Sequence, residues 1–188
     1  MATRWPTRTS IGLGIVVMLV CGATASAQEL SFSLSLDATI YGGDAYKPTN
    51  GDRGGELAIA YQMMRGLKLG GGVFVGKFDE PISDPSFTAV SLFFEPAWVF
   101  RRTARVRPFV GSRVAWEHQR AGDRSSGLWA YGWSVAGVAG VLVRLGEPVS
   151  VGVRTVVSGL NMDREDQTSR NGLRVQVGGS FILTWVLR

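Results

Sequence analysis

A period of two in the placement of apolar side chains constrains this chain more than any other feature. In Leu30–Tyr41 the apolar residues occupy one parity and the small polar residues occupy the other. Successive side chains of a β-strand point to opposite faces, so the pattern predicts a strand with one apolar face. A soluble strand buries that face, whereas a strand in an outer membrane turns it toward lipid. The segment alone predicts the strand and leaves both environments open.

The same alternation recurs along the chain and predicts eight strands. They are Leu30–Tyr41, Glu56–Met63, Leu67–Val75, Phe87–Phe100, Pro108–Trp116, Leu128–Val143, Val149–Val157 and Gly172–Leu187. Most are at least as long as the roughly 9–11 residues that a tilted strand needs to cross a bilayer. Pro96 falls inside the fourth strand, where the missing backbone N–H predicts a bulge near the strand's end.

The connections between the predicted strands alternate between long and short. The long, polar connections are Gly42–Gly55, Gly76–Ser86, His118–Gly127 and Ser158–Asn171. In an up-and-down meander every second connection lies at the same end, so the four long connections share one end. Transmembrane β-barrels have this asymmetry, with short periplasmic turns and long outer loops.

The first residues have the pattern of an export signal. Arg4 and Arg8 precede an apolar segment at 11–20, and an Ala-Ser-Ala cleavage site occupies 25–27. Cleavage there gives two parts, a signal peptide at 1–27 and one barrel domain at 28–188. Loss of the two arginines lowers the formal net charge from +5 to +3, and the remaining basic residues are scattered. This distribution argues against a nucleic-acid partner.

Cys21 is the only cysteine and falls inside the predicted signal. Val20 precedes it where a lipoprotein signal needs a small residue, which argues against acylation. The mature chain then has no cysteine, so disulfides and thiol chemistry are excluded.

Aromatic residues concentrate on the apolar faces near the strand ends. Amphipathic rings favour the membrane interface, so this distribution predicts two aromatic girdles. The predicted interface residues are Tyr61, Trp98, Phe100, Trp116, Trp129, Tyr131, Trp133 and Trp185. A lipocalin-like soluble barrel has the opposite partition, with an apolar interior and a wetted exterior. The aromatic apolar faces therefore favour the membrane barrel over a soluble periplasmic ligand-binding barrel.

The signal, the alternating segments, the stretch Arg107–Gly111 and the aromatic last strand resemble the small outer-membrane barrels of the OmpA-like, OmpX-like and OmpW-like group. The resemblance covers the mature chain and implies an all-β, eight-stranded antiparallel up-and-down barrel in the bacterial outer membrane. It implies outer-membrane lipid, lipopolysaccharide and the barrel-assembly machinery as partners, a monomer, and no cofactor or metal. Such barrels usually end in an aromatic residue, whereas this chain ends Trp185-Val186-Leu187-Arg188.

Charged residues on the polar parity are candidates for the barrel lumen. They are Asp37, Glu56, Glu95, Arg113, Glu117, Arg154 and Arg174. An eight-stranded barrel is only just wide enough to be filled by its own side chains. The charges then form either a salt-bridge network that fills the lumen or a gate in a narrow ion path, and buried charges must be paired or solvated in both cases.

Two further features bear on chemistry. His118 is the only histidine, but neighbouring Glu117 faces the other side of a strand, and no serine follows at the His-x-Ser spacing of a lipid-deacylating enzyme. The run Asp163–Asp166 lacks the glycine and spacing of a calcium loop, so it is expected to be a solvated loop tip. The leading interpretation is a structural or interaction barrel whose outer loops contact the outside. The alternatives are a narrow channel for small solutes and a lipid-modifying enzyme.

Overall fold

The computed structural model describes residues 28–42, 52–63, 66–79, 86–101, 103–121, 129–164 and 169–187. The export signal predicted at 1–27 lies outside the described residues. The described ranges contain eight strands, namely β1 (Gln28–Gly42), β2 (Asp52–Gln62), β3 (Leu67–Asp79), β4 (Ser86–Val99), β5 (Val106–Ala121), β6 (Trp129–Arg144), β7 (Val149–Arg164) and β8 (Ser169–Leu187). None of these ranges holds a helix long and apolar enough to span a membrane.

Each strand pairs antiparallel with the next. The last strand, β8, pairs with the first, β1, along the whole length of β1. The sheet is therefore closed and has no free edge. This arrangement confirms the predicted all-β, eight-stranded, up-and-down barrel.

The pairing registers fix the tilt of the strands. A path that leaves β1 at Glu29 and follows paired residues through every strand returns to β1 at Thr39, ten residues further along. Such a stagger tilts the strands by about 40° from the barrel axis. Because the strands are tilted, residues of distant strands can lie at the same height along the barrel axis without belonging to the same row of paired residues.

Five strands extend well beyond their apolar alternation at the end of the long connections. β2 begins at Asp52, β3 runs to Asp79, β5 runs to Ala121, β7 runs to Arg164, and β8 begins at Ser169. The predicted loops at Gly42–Gly55, Gly76–Ser86, His118–Gly127 and Ser158–Asn171 are therefore all wrong in their bounds. The connections shrink to 43–51, 80–85, 122–128 and 165–168, so their contrast in length with the short connections is smaller than the sequence predicts.

The reason is that these strand ends keep their alternation while their outward residues become polar. Leu160 and Met162 are buried inward, whereas Asn161 and Asp163 are exposed between them. A polar outward face resembles a loop in the sequence, although the inward parity is unbroken.

The bulge expected at Pro96 is not present. The pairs Phe94↔Val114 and Ala97↔Gly111 lie on either side of Pro96 in the same register, so no extra residue enters β4. The ladder to β5 is only interrupted there, while Pro96 stays paired with Leu69 of β3. An interrupted ladder accommodates the missing N–H without shifting the register.

The short connections at 63–66, 100–105 and 145–148 lie at the same end of the barrel as Gln28 and Leu187. At the first of them Gly66 has a φ of +93°, and a Cβ there would lie 2.6 Å from the carbonyl oxygen of Val99. Both the backbone angle and the close contact require glycine at this turn.

Candidate functional site

A cluster of five charged side chains crosses the middle of the lumen. Arg113 donates from Nη1 to Glu56 at 2.8 Å and also bonds Glu95. Arg154 bonds Glu56 at 2.5 Å and Asp37 at 3.1 Å. All five side chains are buried. Each arginine therefore bridges two carboxylates, and Glu56 links the two arginines.

This central cluster joins strands from opposite sides of the barrel. Asp37 and Glu56 lie on the neighbouring strands β1 and β2, while Arg113 lies on β5 and Arg154 on β7. All five residues occupy the inward parity of their strands. Apart from the bond of Arg113 to Glu95 on the neighbouring β4, the contacts run across the lumen and tie non-adjacent strands together, which backbone hydrogen bonding does not do.

A second pair lies nearer the end with the longer connections. Arg174 of β8 donates from Nη1 and Nη2 to the two carboxylate oxygens of Glu117 of β5, at 2.7 and 2.6 Å. The guanidinium also lies 5.8 Å from the ring centre of Phe74. Glu117 is 0% exposed and Arg174 is 2% exposed. The two-pronged geometry is the strong form of a charge-assisted hydrogen bond.

Three further interior charges escape the sequence prediction. Arg107 and Glu29 lie 4.0 Å apart near the short-turn end, and Arg107 donates to Ser150 at 3.0 Å. Lys68 lines the same cavity as Glu56 and Glu95. Arg107 falls in the connection between the predicted strands that end at Phe100 and begin at Pro108, and Glu29 precedes the predicted first strand. The inward parity of β5 and β1 continues through both positions and is the signal that identifies them.

The lumen also contains apolar side chains, which the small polar inward faces of the sequence do not suggest. One buried cluster extends from the side of the short turns to the level of the central cluster, where Ala136 is paired with Arg113. It comprises Ala97, Val99, Phe109, Ala136, Val138, Leu142, Val156 and Ile182. Another, of Ala130, Leu160 and Met162, lies toward the opposite end. Together with the charge pairs, they fill the lumen in layers along the axis, much as side chains fill a globular core.

A small cavity remains beside the central cluster. It measures about 30 Å³ and is lined by Glu56, Lys68, Glu95, Arg154 and small residues that include Ser33 and Ser35. That volume holds one or two water molecules, which the polar walls can bond. Apolar side chains, Phe109 and Leu142, form its wall toward the short turns.

The outer surface of the barrel has the opposite character. Large apolar side chains are exposed all round it, including Leu36, Leu57, Val135 and Val153, each more than 60% exposed. A soluble monomer rarely exposes a contiguous apolar patch beyond a few hundred Å². An apolar outside around a charged interior is the partition of a transmembrane barrel.

Outward-facing aromatic side chains lie at two heights on this surface. Tyr61 and Trp185 are both paired with Leu30 near the short turns, where Trp98 and Phe100 also lie. Toward the other end, Trp116 is paired with Trp133, and Tyr131 lies beyond Trp133 on β6. Trp129 begins β6 at that end, and its side chain lies outside the described part.

The height of the apolar belt can be worked out on β3. It extends from Leu67, which is paired with Trp98, to the exposed cation Lys77, ten residues further along the strand. Ten residues span about 33 Å along a strand and about 25 Å along an axis tilted by 40°. This height matches the roughly 25 Å apolar band of outer-membrane barrels.

The remaining predicted features lie away from the lumen. His118 is half-buried on the outward side of β5, with its ring 6.2 Å from that of Trp116, while Glu117 points inward. It is therefore a strand residue and not part of a loop. Asp163 lies at the outer end of β7, and 165–168 fall outside the described residues. The described ranges contain no group of His, Cys, Asp and Glu that could hold a metal ion.

Comparison with known proteins gives no match to a family model or to a curated sequence. The structure is similar to Neisserial surface protein A, with a TM-score of 0.68 at 10% identity, covering 82% of this chain and 96% of that one. It is also similar to Ail, the attachment invasion locus protein of Yersinia pestis, with a TM-score of 0.57 at 16% identity and coverages of 84% and 100%.

OprG, an outer-membrane protein of Pseudomonas aeruginosa, gives a TM-score of 0.52 at 10% identity, covering 87% of this chain and 98% of that one. Identities this low show the fold alone. The closed eight-stranded sheet and the apolar exterior agree with the fold of these outer-membrane proteins. The chain therefore has the fold of the small eight-stranded outer-membrane β-barrels.

Proposed function

We propose that this protein is a structural and interaction barrel of the bacterial outer membrane. The observation that carries the proposal is the partition of its side chains, with an apolar belt outside and paired charges inside. Lipid is the solvent that suits such a belt, because exposing it to water would oppose the hydrophobic effect. The similarity in fold to outer-membrane proteins supports the same placement.

The filled lumen supports a structural role over an open channel. Bridges from Arg113 and Arg154 cross the barrel at mid-height, and the layer containing Phe109 and Leu142 closes it toward the short turns. An ion would have to displace both layers to pass. The cross-lumen bridges instead link strands that do not pair, which stiffens the barrel against deformation in the membrane.

The interaction role belongs to the end of the barrel opposite Gln28 and Leu187, where the outward strand residues Asn161 and Asp163 are polar and exposed. We propose that 43–51, 80–85, 122–128 and 165–168 face the outside of the cell, with the short turns in the periplasm. The name of Ail, the attachment invasion locus protein, supports an interaction role for a barrel of this fold. His118 faces outward beside Trp116, away from Glu117, so we propose no catalytic role for it.

A narrow conduit for small solutes is the second candidate. The observation that favours it is the polar cavity beside Glu56, Glu95 and Lys68, because a hydrated site could form one station of an ion path. The candidate requires the bridges of Arg154 to open in the native membrane.

The first experiment tests the barrel and its location together. The protein is expressed with its own leader, envelopes are fractionated, and the outer-membrane fraction is run on a gel with and without boiling in detergent. We expect outer-membrane fractionation and a change in mobility on boiling, because closed barrels resist cold detergent. A soluble periplasmic protein without a heat-dependent shift would contradict the proposal.

The second experiment separates the two candidates. Purified folded barrel is added to a planar lipid bilayer, with the boiled preparation as the control. We expect the folded barrel to add no steady conductance to that of the control. Discrete, reproducible conductance steps found only with the folded barrel would favour the conduit and contradict a permanently filled lumen.

A further inference from the structure

The outward face of β2 and β3 combines two cations with an apolar groove. From the short-turn end toward the opposite end, the directly paired residues of this face are Ile59 with Gly71, Leu57 with Val73, Gly55 with Val75 and Arg53 with Lys77. All eight occupy the outward parity of their strands. The face therefore changes from apolar to cationic within one pair of strands.

Arg53 and Lys77 stand side by side at the top of this face. Residues paired directly across antiparallel strands have Cβ atoms about 4.5–5.5 Å apart, and like charges there repel each other. Both side chains are exposed, and neither forms an ion pair with another side chain in the described ranges. An anion that contacts both cations relieves their repulsion, and a phosphate group can accept hydrogen bonds from each.

The groove lies nearer the short turns than the two cations and extends from β3 and β2 across the outward faces of β1 and β8. It has a volume of about 540 Å³, and its walls include Phe32, Leu34, Ile59, Val73 and Phe181. Its floor includes Gly71, where the missing side chain recesses the surface between flanking strands. The lining is almost entirely apolar, so the groove suits a hydrocarbon chain.

The spacing between groove and cations matches one leaflet of a bilayer. Gly71 and Lys77 are six residues apart on β3, which is about 20 Å along the strand and about 15 Å along the barrel axis. The apolar belt of the barrel is about 25 Å tall, so Gly71 lies close to its middle. An acyl chain that starts at the height of Arg53 and Lys77 would therefore reach Gly71 with its end.

We propose that this face, the β2–β3 lipid site, binds one phosphorylated, acylated lipid of the outer leaflet. The phosphate contacts Arg53 and Lys77, and the end of one acyl chain lies in the groove over Gly71. The inference rests on the proposed outer-membrane orientation, which places these cations at the outer interface.

The headgroup contribution is tested by native mass spectrometry of the folded barrel released from detergent micelles. The probe is a diphosphorylated, tetra-acylated glucosamine disaccharide, and its dephosphorylated form is the comparison. The variant R53Q/K77Q removes both cations, and R101Q/R105Q removes two exposed cations at the short-turn end as the matched control. We expect R53Q/K77Q to bind the phosphorylated probe roughly twenty-five-fold more weakly, since each basic residue near an anionic surface contributes about five-fold.

We expect R101Q/R105Q to bind like the wild type, and the dephosphorylated probe to bind equally weakly to all three proteins. Equal weakening by both double variants would mean diffuse charge attraction and would overturn the site. Unchanged binding by R53Q/K77Q would overturn it as well.

The groove is tested by filling it. G71L places a side chain on its floor, where a Cβ would lie 3.2 Å from the carbonyl oxygen of Phe93, and G137L adds the same side chain to an open outward position on β6. We expect G71L alone to weaken binding of the acylated probe. Binding by G71L equal to that of G137L would refute the acyl-chain contact. Competition by inorganic pyrophosphate as strong as that by the acylated probe would refute it as well.

All variants are first checked for the heat-dependent gel shift, so that a misfolded barrel is not mistaken for a lost site. Failure of the wild type to enter the outer membrane would remove the proposed function itself. Normal insertion with unchanged lipid binding in R53Q/K77Q would remove only the β2–β3 lipid site.

Discussion

Removal of one partner of the Glu117–Arg174 pair should destabilise the barrel far more than removal of both. In Glu117→Gln, Arg174 keeps its charge inside the barrel while the carboxylate that holds both of its terminal nitrogens is lost. Neither residue is more than 2% exposed, so water cannot replace the lost partner without opening the packing. Breaking a buried ion pair costs about 3–5 kcal/mol. We expect the free energy of unfolding to fall by that amount.

The double variant Glu117→Leu with Arg174→Met removes both charges and keeps most of the volume. Replacement of a buried ion pair by apolar residues is often neutral or stabilising by about 1–4 kcal/mol. We therefore expect it to unfold at a free energy no lower than that of the wild type. The two single changes would then be strongly non-additive.

The measurement is equilibrium unfolding in urea, from phospholipid vesicles, followed by tryptophan fluorescence with the linear extrapolation. The control is Glu147→Gln in the short turn at 145–148, where the side chain is exposed and little change is expected. A loss below about 1 kcal/mol for Glu117→Gln, or additive losses in the double variant, would refute the view that the pair is dry and strongly coupled.

Further outcomes are expected in the same unfolding assay. Val153→Arg, at mid-height on the exposed face of β7, should cost about 2–4 kcal/mol, whereas Asn161→Arg near the outer end of that strand should cost about 0–1 kcal/mol; equal costs would contradict the assigned depth. Gly132→Ala should cost about 1–3 kcal/mol, because its Cβ would lie 1.9 Å from the Asn161 carbonyl oxygen, while Gly137→Ala, with nothing within 4 Å, should be neutral; a tolerated Gly132→Ala would show that β6 and β7 are more widely spaced. Phe109→Ala should cost about 3–5 kcal/mol as a cavity in the filled lumen, and a negligible loss would indicate that this layer is loosely packed.

Strand identity and face were readable from the sequence, because a period of two survives even where composition changes. The outward parity of β1 and β6 follows directly from residues such as Leu34 and Val135. Strand ends were less readable. Above the apolar belt the outward positions of β7 become polar at Asn161 and Asp163, and polar strand ends and polar loops have similar compositions.

The pairing of charges across the lumen could not be predicted from the sequence for a different reason. Inward parity marks Asp37, Glu56 and Arg154 as interior residues, but it gives neither their heights nor their angular positions. Those depend on the stagger of ten residues, which is set jointly by all eight registers. Arg154 meets Asp37 only because the closed sheet brings β7 to the same height as β1.

The ladder between β1 and β8 has a consequence for how the protein reaches its membrane. Seven of the ladders join neighbours along the chain and can form as local hairpins, but this one joins Gln28 to Leu187. Its contact order is the largest in the fold, so it closes last and carries the greatest loop entropy. Until β8 arrives, β1 presents unpaired N–H and C=O groups that neither lipid nor a stable soluble sheet can accommodate. We therefore expect the chain to couple the closure of this ladder to its insertion into the membrane.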